Sequence, residues 1–224
     1  MTDPNPYATP EAAAVPPTDD ISKQMQGLQW PLNFSFKVLA LASQATVTDA
    51  NGCVVCYTKQ KLFKFKEHVE IFTDKSKVTL LAEIKTQKVI DWSARYHFTN
   101  ASGQDLGSVG RRGWRSLFRA HYDAFNPGND TPAYAIREEN PASKFFDGLF
   151  GAIPIIGMAT GYLFHPRYAA TKTGGEIAMR MTKKPAFFEG KFEIEKLDQS
   201  LTPHQELNLI LAYMMMVLLE RKRG

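Results

Sequence analysis

From Trp30 onward, apolar and polar residues alternate in short runs separated by turn-forming residues, the pattern of half-buried strands. The runs are Asn33–Ala40, Ala45–Thr48, Val54–Lys59, Val69–Thr73, Val78–Lys85, Ala94–Thr99 and Leu106–Gly110. A further hairpin reads through His121-Tyr122-Asp123 and Ala133–Glu138. Strands then resume at Gly161–Ala169, Glu176–Thr182 and Phe187–Leu197, about twelve in all.

The period changes after Thr202. Every residue from Leu209 to Leu219 is apolar, so a helix there has no polar face and must be enclosed on all sides. Thr202, Pro203 and Gln205 supply a cap, a first helical residue and the third position of a capping box, and Arg221, Lys222 and Arg223 set cations at the other end. The apolar run is shorter than the ~20 residues a membrane span needs. A core helix over Pro203–Arg221 is therefore expected.

The turns repeat. Aligning Thr48-Asp49, Thr73-Asp74 and Thr99-Asn100 brings strand, polar turn and strand into register at intervals of about 25 residues, and a fourth copy runs through Asn126-Pro127-Gly128-Asn129-Asp130. Consecutive hairpins form an antiparallel meander. Around an enclosed helix, a meander closes most simply into a barrel, so the expected fold class is all-β with one central helix.

Two stretches stand apart from this pattern. Residues 1–27 hold Pro4, Pro6, Pro10, Pro16 and Pro17 with little to bury, and read as a disordered arm ahead of a single barrel domain over 28–224. Lys144–Phe164 is apolar but is interrupted by Asp147, Pro154 and four glycines. It reads as a loop with short helical turns packed on the barrel end, with membrane-dipping insertion as the alternative.

Composition narrows the class. The 224 residues carry a formal charge of +4, with a sequence pI near 9.0, a mild excess that suits an anionic partner. No basic start precedes an apolar run, and only two cysteines occur. Both facts point to a chain that stays in its compartment of synthesis, cytoplasmic or peripheral at the inner membrane face, without a disulfide framework.

The C-terminal third carries a resemblance. Gly175-Glu176-Ile177-Ala178-Met179-Arg180-Met181-Thr182-Lys183, then Phe188-Glu189-Gly190-Lys191-Phe192-Glu193-Ile194, then the long apolar helix, resemble the end of the phospholipid scramblase family and its LURP-one-related cousins. Both are similar to the tubby C-terminal domain. The resemblance implies a twelve-stranded antiparallel barrel around a hydrophobic C-terminal helix, and a protein concerned with membrane lipid. The chain departs from scramblases in three places: Cys53 and Cys56 stand where a cysteine-rich run would be, Pro4-Asn5-Pro6-Tyr7 only echoes a Pro-Pro-x-Tyr motif, and the acidic segment before the helix shrinks to Glu189, Glu193, Glu195 and Asp198.

Candidate chemistry is confined to charge. Arg111, Arg112, Arg115 and Arg119 interleave with Trp114 and Phe118 around a turn, a mixture that suits phosphate oxygens and the headgroup level of a bilayer, though arginines solvated around a core Trp give the same sequence. Lys59, Lys61, Lys64 and Lys66 form a second basic set, with Phe63 and Phe65 on the opposite face of the alternation. Whether the two sets adjoin is not legible in the sequence. Cys53 and Cys56 have redox-motif spacing but sit at a strand, and read as two buried thiols. The five histidines have no paired ligand spacing, no metal or cofactor is expected, and no nucleic-acid motif is present. No nucleophile elbow, phosphate-binding loop or dinucleotide fingerprint appears, so the expectation is a binding protein and not an enzyme. The sequence points first to peripheral association with anionic phospholipid headgroups. A soluble protein-interaction scaffold and a membrane-inserted scramblase are the alternatives.

Overall fold

The computed structural model describes residues 19–39, 42–61, 68–86, 94–111, 121–139, 166–186 and 189–220. A short helix α1 (Asp19–Met25) precedes twelve strands. These are β1 (Leu32–Leu39), β2 (Ala42–Thr48), β3 (Val54–Lys61), β4 (His68–Phe72), β5 (Leu80–Thr86) and β6 (Arg95–Thr99), followed by β7 (Asp105–Arg111), β8 (His121–Phe125), β9 (Tyr134–Glu138), β10 (Arg167–Lys172), β11 (Ile177–Lys184) and β12 (Gly190–Lys196). Helix α2 (Pro203–Glu220) closes the described chain. Each strand pairs antiparallel with its sequence neighbours, and β1 pairs with β12, as Phe34 opposite Phe192 shows, so the meander closes into a barrel.

The barrel encloses α2, as its lack of a polar face requires: every residue from Glu206 to Leu218 is buried. The capping box forms in both directions. Thr202 Oγ1 accepts from Gln205 N–H at 3.3 Å, and Gln205 Oε1 accepts from Thr202 N–H at 3.0 Å. Glu206 in the first turn, favoured there by the helix dipole, pairs with Lys196 Nζ at 2.6 Å inside the wall. Among the described residues no helix is long and apolar enough to cross a membrane.

Alternation of direction sorts the connections into two ends. The base carries 49–53, 73–79, 100–104, 126–133, 173–176 and 197–202, with the N-terminus of α2. The mouth receives the other connections and the C-terminal end of α2.

At the base the sequence repeat becomes a repeated turn. Asp49 Oδ1 accepts from the N–H groups of Asn51 and Cys53 at 3.0 and 2.9 Å, and Asn100 Oδ1 accepts from those of Ser102 and Gln104 at 3.0 and 2.9 Å. Asp74 does the same toward Ser76. The residue three positions on is left-handed in all three turns: Gly52 at φ 86°, Gly103 at φ 79° and Lys77 at φ 62°.

Two expectations change. The disordered arm expected over 1–27 does not hold for Asp19–Met25, which is helical; residues 1–18 lie outside those described. Ile21 and Met25, four apart, put two buried apolar side chains on one face; α1 packs them against α2, and Gln24 Nε2 donates to the Val55 carbonyl at 3.1 Å. Two apolar residues among polar neighbours are too weak a periodic signal to separate from a polar arm. Of the two thiols, Cys56 is buried but Cys53 is exposed, because the base turn extends through Cys53 and β3 starts only at Val54.

Candidate functional site at the barrel mouth

Helix α2 is not centred. Of the strands it runs closest to β7 and β8, because Gly107 presents no side chain to it and Asn208 Nδ2 reaches the Phe125 carbonyl at 2.9 Å. The opposite wall is then filled by bulk, with Phe34, Met179, Met181 and Tyr213 all buried there. The Tyr213 hydroxyl lies 2.9 Å from the Met179 carbonyl and 3.1 Å from that of Tyr168, bracing helix against wall. Burial pushes this hydroxyl well above the ordinary tyrosine range, so it stays a neutral donor.

Toward the mouth this filling stops. A cleft of about 370 Å³ opens between the last turns of α2 and β10–β12, lined by Tyr168, Lys183, Phe192, Met216, Val217 and Glu220. Met216 and Val217 are otherwise buried. Glu220 is engaged on the far side of the helix: Tyr122 Oη donates to its Oε1 at 2.7 Å, and Arg111 Nη2 stands 3.7 Å from the same oxygen. Burial and then the Glu220 carboxylate raise the Tyr122 hydroxyl strongly, keeping it a proton donor. Glu189, also on the cleft, pairs with Lys37 at 3.0 Å and Lys191 at 3.1 Å, which hold its carboxyl below the usual range. Lys183 is exposed and has no ion-pair partner among the described residues.

The expected site residues fall as follows. Arg111 ends β7 at the mouth, its side chain 13% exposed, with its guanidinium beside Glu220 and 5.9 Å from the Tyr122 ring centroid. It is an internal partner of the helix end and not an open turn arginine. Arg112, Trp114, Arg115 and Arg119 lie outside the described residues, as do Lys64, Lys66, the Lys144–Phe164 stretch and Arg221–Arg223. Lys59 is exposed on β3, and Lys61 ends that strand. The connection leaving Lys61 and the one leaving Arg111 both start at the mouth, with β4, β5 and β6 between them in the ring. The two connections thus start from one end of the barrel and belong to different hairpins.

Sequence reasoning passed over Lys183, Tyr168, Phe192 and Glu220. Each reads as an ordinary strand or helix position: pairing of β10, β11 and β12 lines up the first three, with Lys183 opposite Phe192, and Glu220 joins them because the barrel encloses α2. A second groove of about 440 Å³ lies along β8–β10 and includes Asp123, Arg137 and Lys172. Its cations are taken: Lys172 by Asp198 and Glu176, and Arg137 by His121. Among the described residues no group of three or more His, Cys, Asp or Glu side chains is placed to hold a metal ion. Comparison with protein-family models, with curated proteins and with solved structures yields no match for this chain.

Proposed function

We propose that the chain is a scramblase-related or LURP-one-related binding barrel, without enzymatic activity, that associates peripherally and reversibly with anionic phospholipid surfaces through its mouth. One observation carries the reading: the connections bearing Arg112, Arg115 and Arg119, and Lys64 and Lys66, start from the same end of the barrel, where α2 also finishes. A basic residue near an anionic surface gains roughly 1 kcal/mol, so a set of three is worth about a hundredfold in affinity. Trp114, in the same connection, has the amphipathic ring that favours the headgroup level. Arg111 acts differently, as the partner of Glu220.

Co-sedimentation with phosphatidylglycerol vesicles is the test. Binding is expected at low salt, with a fall as ionic strength shortens the Debye length to ~8 Å and below. It should drop about a hundredfold when Arg112, Arg115 and Arg119 become alanine. Arg111 is left in place so that the helix end keeps its partner. Indifference of the wild type to acidic vesicles at low salt, or equal binding by the triple variant, overturns the reading.

A further inference from the structure

We propose that the mouth cleft is a binding site for one acyl chain of an anionic phospholipid, with Lys183 as the headgroup contact. The proposal rests on the reading above only for the class of lipid; the cleft itself is carried by different residues.

The polarity of the cleft runs in one direction. Met216 and Val217, both buried, form its enclosed side; at the exposed end Lys183 stands opposite Phe192, and Tyr168 lies nearer the base, opposite Met181. Thioether and aromatic surfaces fit a flexible alkyl chain because Met adapts to shape without demanding one. The volume of about 370 Å³ falls in the range of roughly 300–1,000 Å³ that small-molecule sites occupy.

Charge selects the headgroup. Two carboxylates line the cleft, but Glu189 is neutralised by Lys37 and Lys191, and Glu220 by Arg111 together with the Tyr122 hydroxyl. Lys183 has no such partner among the described residues, so the net charge left at the rim is positive. The Tyr168 hydroxyl adds a neutral donor, since burial, then Glu138 and Glu220, raise it well above the ordinary range. An anionic head over an apolar tail matches this order of groups, whereas a cationic or wholly apolar ligand leaves Lys183 repelled or unused.

The space exists because of the packing described above. Gly107 and Asn208 draw α2 toward β7 and β8, Tyr213 bridges the opposite gap at mid-height, and the cleft opens beyond it, beside Met216 and Val217. The cleft is therefore a consequence of where the helix lies.

The test uses the full chain and monomeric lysolipids with a dodecanoyl chain, lysophosphatidylglycerol against lysophosphatidylcholine, followed by titration calorimetry below micelle formation. Lysophosphatidylglycerol should bind at one per chain and more tightly than the zwitterion. Lys183→Glu, an exposed change that leaves the core untouched, should weaken it by about fivefold or more and abolish the preference. Ala186→Trp, which fills the rim of the cleft, should block both lipids while the thermal midpoint is retained. No binding by wild type, or Lys183→Glu binding that equals wild type, overturns the proposal. Vesicle binding that survives Ala186→Trp while monomer binding is lost keeps both readings, because the arginine surface then acts without the cleft. Monomer binding by a chain that ignores acidic vesicles keeps the cleft and overturns the surface.

Discussion

A Cβ placed on Gly107 would stand 2.5 Å from Nδ2 of Asn208, closer than packed atoms come, and equally close to the Phe125 carbonyl that Asn208 engages. Gly107 also sits at φ 110°, a backbone conformation that side-chain-bearing residues rarely adopt. Gly107→Ala should therefore cost about 2–4 kcal/mol, from backbone strain plus displacement of α2 from β7. Gly128→Ala is the control: it is left-handed at φ 70° but has nothing within 4 Å, and should cost only about 1 kcal/mol. Urea unfolding of the pair measures the difference; equal midpoints would mean that the close approach of helix and wall is not stabilising.

Lys77 holds the left-handed position that glycine holds in the two sister turns. Lys77→Gly should raise stability by about 0.5–1 kcal/mol, a gain reduced by loss of the ammonium's position 5.3 Å from the Phe72 ring centroid. Gly103→Lys should lower it by a similar amount. Thermal unfolding of both reads the sign, and a loss on Lys77→Gly would show that the ring contact outweighs the backbone strain.

Asp198 joins β12 to α2 and bonds Lys172 and Ser200, which hold its carboxyl down to about 2. Because the folded value lies below the unfolded one, near 3.9, the interaction stabilises fully above that value and is lost as pH falls through about 2. The gap in urea midpoint between wild type and Asp198→Asn should be constant above about pH 5 and close toward pH 2. A gap unchanged at the acid end would place the effect in geometry and not in charge.

Burial pushes the Cys56 thiol up to about 12, whereas Cys53 is exposed. An alkylating reagent at neutral pH should modify one thiol per native chain and two after unfolding, as read by intact mass. Rapid labelling of native Cys53→Ser would show that the wall of β3 opens.

The strands, the enclosed helix and the base turns were legible because each is a local matter. Alternation reports which face of a strand is buried, an apolar run without a polar face reports enclosure, and an Asp or Asn followed three residues later by Gly reports a turn that needs a left-handed residue. Helix α1 escaped because Ile21 and Met25 alone make too short a stripe to register.

Apolar period and turn chemistry determined the number of strands, their antiparallel order and the burial of α2, since these depend on residues close together in the chain. Only closure decided what meets at the mouth. Tyr122 and Glu220 are separated by 98 positions, and no periodicity connects them. The parity of a closed meander puts both at one end, Gly107 draws the helix off centre, and the space left opposite becomes the cleft beside Lys183. Periodicity states that a side chain is buried; which side chain it is buried against follows from how the sheet closes.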